Sequence, residues 1–343
     1  MAPPRRASYT AGMTPMFQRR GRALARRSLL ALGLAAAFVP GFAAVQDFPN
    51  KPVRMIVGYP PGGSNDIVAR IVAPRLAEVL GTSVVVENKA GVSGAIGADF
   101  VAKSAPDGYT LLLASASPVV ITPHTIPKIP FNTLTDFAPI NTVGLTPEAI
   151  AVAPLLGVKN LKELLALART RQVSLASSGT GGLPHLTIEL LIHAAKGQIV
   201  HVPYKGAGPA VTDTLAGHVQ GIVMDVPPLF PFIQDGRLQA LAVTSDKRVE
   251  FLPNVPTAQE ELPGFNVTNW VGVFAPAKTP KAVVDKLNAA LAKVVAREDV
   301  RAQLLKVAVV PSTMASPEAF QQFVAGEFNR WGKLVKDRNI VAE

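Results

Sequence analysis

The 343-residue sequence predicts an α/β fold in two units, on three observations. From residue 50 onward short apolar runs alternate with amphipathic segments, the signature of strands alternating with helices. Two glycine-rich loops lie between a predicted strand and a predicted helix. The length suits two domains at roughly 100 to 200 residues each.

The elements follow in order from local patterns. Val53 to Gly58 is an unbroken apolar run, read as a buried strand. Asn65 to Leu80 carries Ile67, Ile71, Val72, Leu76, Val79 and Leu80 on one side and reads as a helix, with a kink or local break expected at Pro74. Ser83 to Glu87 is a second strand, Gly94 to Lys103 a short helix and Tyr109 to Ala114 a third strand. This alternation implies a parallel sheet with right-handed crossovers. Pro118 to Pro147 is proline-rich and loosely patterned.

The alternation then resumes. Helices are predicted at Asn160 to Thr170, Pro184 to Lys196, Pro209 to His218 and Phe230 to Asp235, and strands at Val173 to Ala176, Ile199 to Tyr204, Gly221 to Val226 and Ala240 to Thr244. An extended run from Asn266 to Ala275 leads to two strong helices, Pro280 to Arg297 and Pro317 to Asp337. The last carries Phe320, Phe323, Val324, Phe328, Trp331 and Val335 at spacings of three and four, a core stripe. Two α/β units with a helical portion left over predict that the chain crosses back to pack on the first.

Charge narrows the partners. The formal net charge is +10, from 34 Lys and Arg against 24 Asp and Glu, but residues 1–44 hold seven arginines and no acid. The remainder carries 27 basic and 24 acidic residues, a balance of +3 that calls for no nucleic-acid or anionic-membrane partner. With 48% hydrophobic and 17% charged residues the composition is globular. The absence of cysteine excludes disulfides, thiol nucleophiles, thiolate zinc sites and iron–sulfur ligation.

Arg26 and Arg27 precede an uncharged apolar run, Leu29 to Val39, closed by Pro40-Gly41-Phe42-Ala43-Ala44. This is the layout of a secretory signal peptide, too short for a membrane span of roughly 20 residues and cut after Ala43. Residues 1–43 are therefore expected to be removed, giving a periplasmic chain that begins at Ala44. Sec and Tat export both fit the arginine pair. The competing reading is an uncleaved anchor.

The chemistry of common enzymes is missing. His124, His185, His193, His201 and His218 have no metal-binding spacing, no G-x-S-x-G elbow or Walker A sequence occurs, and Gly91, Gly94 and Gly97 space poorly for a dinucleotide and read as close helix-to-sheet packing. No cofactor or metal is expected. Two loops stand out instead. Tyr59-Pro-Pro-Gly-Gly-Ser-Asn-Asp66 has prolines that stiffen the strand exit and glycines that let N–H groups face outward at a helix start, a natural anion site. The plainer reading is a rigid turn capped by Ser64 or Asn65. Ser177-Ser-Gly-Thr-Gly-Gly-Leu-Pro-His185 repeats the glycine and hydroxyl chemistry. If the units face each other, both loops line one cleft at the carboxyl ends of strands.

Candidate ligand-binding residues are accordingly Tyr59, Gly62, Gly63, Ser64, Asn65, Asp66, Ser178, Gly179, Thr180 and Gly181. His185 either donates into the cleft or satisfies local groups. Asp225, before Pro227 and Pro228, binds a ligand ammonium, orients loop donors or is a turn residue. Ser115 and Ser117, after the third strand, stand in the same position.

Several motifs in order resemble the substrate-binding proteins of tripartite tricarboxylate transporters, also called Bug receptors: Tyr59 to Asp66, Val85-Val-Glu-Asn-Lys89, Ala105-Pro-Asp-Gly-Tyr-Thr-Leu-Leu112, Asp136-Phe-Ala-Pro139, His201-Val-Pro-Tyr-Lys-Gly206, Leu241-Ala-Val-Thr-Ser245 and Leu252-Pro-Asn-Val-Pro-Thr257. The resemblance runs from about Phe48 to the C-terminus. It implies a periplasmic receptor of type II binding-protein architecture, with domain 1 at 44–148 and 268–343, domain 2 at 149–267, and crossing hinge strands near Thr142 to Val152 and Asn266 to Phe274. It further implies no turnover, a small organic acid held between the lobes by the two loops, and transient docking of a monomer on membrane permease subunits. Gly182 departs from the Thr or Ser common there, so N–H groups of Thr180, Gly181 or Gly182 are expected to compensate. The alternatives are an exported hydrolase or lyase acting on an organic acid, with His185 and Asp225 as its acid/base pair, and a sensor subunit that shares every receptor residue.

Overall fold

The computed structural model describes residues 48–340, so the expected signal segment and its cleavage site lie outside the described residues. The first part of the fold runs β1 (Val53–Val57), α1 (Ser64–Leu80), β2 (Val84–Asn88), α2 (Ala95–Ala102) and β3 (Thr110–Ser115). A π-helical turn at Ser117–Ile121, α3 (Thr122–Thr125) and α4 (Thr133–Asp136) lead into β4 (Phe137–Val152). The second part runs α5 (Leu161–Ala168), β5 (Val173–Ser177), α6 (Leu183–Ala195), β6 (Ile199–Pro203), α7 (Ala207–Leu215), β7 (Gly221–Asp225), α8 (Val226–Gln234) and β8 (Gln239–Val243). The chain returns through β9 (Thr268–Pro276), α9 (Lys281–Ala296), α10 (Glu298–Lys306), β10 (Val310–Pro311) and α11 (Pro317–Arg338).

The strands join in the order β2-β1-β3-β9-β4-β7-β5-β6, with β8 and β10 also pairing β4. The pairs β1–β2, β1–β3, β5–β6 and β5–β7 are parallel, as the alternation predicts, while β4 and β9 run antiparallel to their neighbours. The 16-residue β4 is the element that local pattern hid, although the resemblance implied a crossing strand near Thr142 to Val152. Pro139, Gly144 and Pro147 read as loop punctuation, yet the register against β9 shifts between Pro139 and Asn141 and again between Thr142 and Gly144. Such irregularities let a strand carry residues that break a regular ladder.

Pro74 also departs from expectation: α1 runs through it unbroken from Ser64 to Leu80. Proline removes one N–H that would bond the Arg70 carbonyl. Burial of Val68, Val72 and Leu76 on the same helix compensates, because each apolar side chain taken from water contributes roughly 1.5–3 kcal/mol. The stripe on α11 is core as read: Phe320, Val324, Trp331 and Val335 are buried, and Trp270 meets Phe320 edge-on at 5.6 Å between ring centroids. α8 begins four residues earlier than predicted, at Val226, and α10 was not predicted.

Gly58, at the end of β1, lies against Gly94 and Gly97. A Cβ on Gly58 would stand 2.6 Å from the Gly94 carbonyl oxygen, and one on Gly97 would stand 2.8 Å from the Gly58 Cα. The glycine spacing thus serves close packing of α2 on the sheet. Because the obstructing atoms are backbone, Gly97→Ala is expected to destabilise the fold by about 1–3 kcal/mol, read as a lowered midpoint in urea unfolding with the slope unchanged.

Candidate functional site

Four helix N-termini converge on one small cavity. It holds about 30 Å³, near the room of a single water, and is lined by the opening residues of α1 (Ser64, Asn65), α6 (Pro184), α7 (Ala207) and α8 (Pro228), with Ser117 from the π-helical turn. These helices are 17, 13, 9 and 9 residues long. Each starts at the carboxyl end of a strand, as ligand-binding loops of open α/β sheets do. Each N-terminus carries roughly half a positive charge, so four positive dipole ends face a cavity with no cation in its wall among the described residues.

The caps leave that field available. Gly63, Gly182, Gly206 and Asp225 precede the four helices, and none places a side-chain hydrogen bond on the first turn. The reading of Ser64 or Asn65 as N-cap does not hold, since both lie inside α1. Pro184, Pro227 and Pro228 lack N–H groups and Leu183 N already donates to Ser117 Oγ at 2.9 Å, so free donors concentrate at the starts of α1 and α7. Asn65 is 3% exposed, and its Oδ1 has no hydrogen-bond partner among the described residues.

The structure brings Tyr59, Gly63, Ser64, Asn65, Ser115, Ser117, Ser178 and Asp225 to this cavity. Gly179 and Thr180 line a larger cavity, about 670 Å³, that shares Tyr59, Pro60 and Ser178 with the first. Gly62, Asp66, Gly181 and His185 line neither. Asp66 shapes its own loop, accepting from Gly62 N at 3.0 Å, Arg70 Nε at 2.9 Å and Asn88 Nδ2 at 2.9 Å. Burial opposes its charge, yet these bonds prevail and hold the carboxyl below the usual range.

His185 takes the local role. Its Nδ1 accepts from Gly181 N at 3.0 Å, which puts the ring proton on Nε2, 3.4 Å from Glu189 Oε1. Both nitrogens are occupied, so His185 neither donates into the cleft nor pairs with Asp225, and the Gly181 donor is not free to compensate for Gly182. The ring stacks on His201 at 4.1 Å, and burial pushes His201 down to about 4.

Hydroxyls reach across the cleft where Gly182 lacks a side chain. A Cβ there would stand 3.2 Å from Ser117 Oγ and 3.3 Å from Ser93 Oγ. Ser93 Oγ donates to Thr180 O at 2.6 Å, and Thr125 Oγ1 to Gly181 O at 2.7 Å. Tyr59 donates its hydroxyl to Ser93 O at 2.8 Å, and burial raises its pKa, keeping it protonated. Ser93 sits at φ 48°, ψ 38°, in the left-handed region that disfavours side chains, so the backbone is strained where this hydroxyl crosses.

Under the cavity lies a carboxyl pair that sequence reading half missed. Asp225 stands opposite Glu148 in the β4–β7 register. Glu148 is wholly buried, accepts from the Thr187 hydroxyl, and leaves Oε1 without a partner among the described residues. Asp225 Oδ1 accepts from Asn269 Nδ2 at 2.8 Å, while Asn269 Oδ1 accepts from Ala116 N at 3.0 Å. Burial, then the negative charge of Asp225, raises Glu148 well above the carboxylate range. Burial pushes Asp225 up to about 6 against the hydrogen bonds of Asn269 and Ser64. A lone acid opening the apolar run Glu148 to Val152 was the available signal. Among the described residues no cluster of His, Cys, Asp and Glu fits a metal ion, and no helix is long and apolar enough to cross a membrane.

Residues 68–340 match the family described as tripartite tricarboxylate transporter family receptor. Protein BugT of Bordetella pertussis is 35% identical over 314 residues, covering 90% of this chain and 96% of its own. Rpa4515 of R. palustris, solved with adipate, superposes with a TM-score of 0.82 at 32% identity, over 86% of this chain and 99% of that one. MatC (Rpa3494) from Rhodopseudomonas palustris, solved with bound malate, gives 0.79 at 30% identity, over 84% and 100%.

The raised Asp225 fixes a pH dependence. A folded pKa of about 6 against the ordinary 3.8 means that the folded state binds this proton more tightly, so stability is lost as pH rises from about 4 through 6. Asp225→Asn removes that loss. Its melting temperature relative to the parent is expected to be higher at pH 8 than at pH 4.5, measured by circular dichroism; equal offsets at both pH values would refute the assignment.

Proposed function

The chain belongs to the tripartite tricarboxylate transporter receptor family, and from that premise we propose that it is a periplasmic receptor that closes two lobes on a small organic acid and hands it to membrane permease subunits. The observation that carries this reading is the convergence of four helix N-termini on one cavity rich in hydroxyls and free of cations. Relatives solved with adipate and malate support the ligand class. We read 44–148 with 268–343 as one lobe and 149–267 as the other, joined through β4 and the approach to β9, with residues 1–43 removed on export. The ligand contacts we assign are Ser64, Asn65 and Ser117, with Tyr59, Ser115, Ser178 and Asp225 around them.

The chain acts by closure rather than turnover. A carboxylate that touches donors of both lobes favours the closed form, and its differential affinity for that form drives the change. The cross-cleft bonds of Ser93, Ser117 and Thr125 hold that form together. Docking on the permease then takes a transient contact of modest area. His185 and Asp225 do not form the pair that the enzyme reading needs, because both imidazole nitrogens are engaged elsewhere.

A thermal-shift screen of mono- and dicarboxylic acids with matched amides tests the reading, after unfolding and refolding to strip carried ligand. At 100 times Kd an acid adds roughly 2.7 kcal/mol to the native state, a rise of several degrees. The expected result is a shift with at least one acid, none with its amide and no consumption of the acid; no shift with any acid sinks the proposal. Ser117→Ala removes one hydroxyl contact and is expected to weaken binding of that acid about fivefold, by titration calorimetry.

A further inference from the structure

The cavity contains a contradiction: an anion site with acids in and beneath its wall. Asp225 lines the cavity, Glu148 lies opposite it in the β4–β7 register, and no cation attends them among the described residues. The groups that bear on the pair are Asn269 from β9, Ser64 from α1, Thr187 from α6 and the protonated Tyr59 from the β1–α1 loop. Thr244, after β8, bonds the Glu148 backbone and Val267 but not the Glu148 carboxyl. Two further atoms await partners there: Glu148 Oε1, in a residue with no exposure, and Asn65 Oδ1, in a residue 3% exposed on the cavity wall.

Of the two adjacent carboxyls, Asp225 is half-buried on the cavity wall and Glu148 wholly buried, and the deeper Glu148 keeps its proton. Asp225 does not act as a helix cap, although Asp is favoured there and it directly precedes α8; its Oδ1 is turned to Asn269 instead. An incoming carboxylate meets the charge of Asp225 at close range in a site shielded from water, where like charges repel most strongly. Protonating Asp225 replaces that repulsion with an O–H donor to the ligand.

Resting on the carboxylate reading of the cavity, we infer that Asp225, backed by Glu148, is a proton site that fills together with the ligand site, so that each organic acid is captured with about one proton from solvent. The proton takes the part that a lysine or arginine plays elsewhere. Unlike those cations it is recruited with the ligand, so the empty cleft carries no fixed positive charge to hold other anions. Asp225 is already raised to about 6, and capture of close to one proton at pH 7.5 needs a further gain of ~300-fold in its proton affinity, about 3.4 kcal/mol of repulsion.

Titration calorimetry tests this, with adipate, malate and the wider acid panel, in buffers of different ionisation heat between pH 6.5 and 8.5. The expected result is uptake of close to one proton per acid near pH 7.5, with Kd rising up to tenfold per pH unit above the Asp225 pKa and the slope lost in Asp225→Asn. An acid bound without proton uptake overturns the inference while leaving the receptor reading intact. So does uptake that survives in Asp225→Asn, or preference for an amino acid over its des-amino analogue, which makes Asp225 an ammonium ligand. No binding by any acid sinks the carboxylate reading and this inference with it. The uptake measured on the unaltered protein decides the matter even where the variant fails to fold.

Discussion

β4 is the strand on which the rest of the arrangement depends. Its first part pairs with β9 and its last five residues with β7 and β8, so one continuous backbone belongs to both halves of the sheet. Every loop at the cavity is aimed by a strand that reaches β4 directly or through one or two neighbours. Glu148 is the first β4 residue that pairs with β7, which puts the buried carboxyl at the junction of the halves. Asn269 ties the same place from β9, bonding Asp225 on one side and the Ala116 N–H after β3 on the other. On the proposed closure, bringing the lobes together and setting the environment of the acid pair are one mechanical event.

A site built from helix starts has different economics from one built on arginine. Each dipole contributes about 0.3–1 kcal/mol when exposed and up to ~2 when partly buried. Four of them sum to about 1–4 kcal/mol at exposed values, short of the roughly 8 that micromolar binding takes, and reach it only if all four act at the buried limit. The remainder has to come from direct hydrogen bonds and from the apolar surface that closure covers. Such a site separates ligands by shape and by the number of acceptors they present, because no single contact dominates.

The parallel strands and long helices were legible because each obeys one period and ends at glycine, proline or a capping residue. α5 shows this well: Asn160 caps it through Glu163 N, and its Leu face is buried. β4 was illegible because its irregular register admits Pro139 and Gly144, residues that a local reading takes for loop. The two glycine-rich loops were legible as sites of something, since free helix N-termini leave a signature in composition. The division of labour within them was not. Asp66 and His185 look like ligand groups in sequence and serve as internal clamps, while Ser93, Asn88, Glu148 and Asn269 reach the site from distant positions that only the folded chain brings near.

The volume of the cavity has a kinetic meaning. A space of about 30 Å³ fits one water and no dicarboxylate, and three hydrogen bonds join the earlier and later parts of the chain nearby. On the closure proposed above, a held acid leaves while those bonds are broken, so its release is no faster than opening. Residence times of different acids then approach a common floor set by the hinge. A receptor that closes in the proposed way is a clocked valve, with Ser93, Ser117 and Thr125 rather than the ligand setting its dwell time.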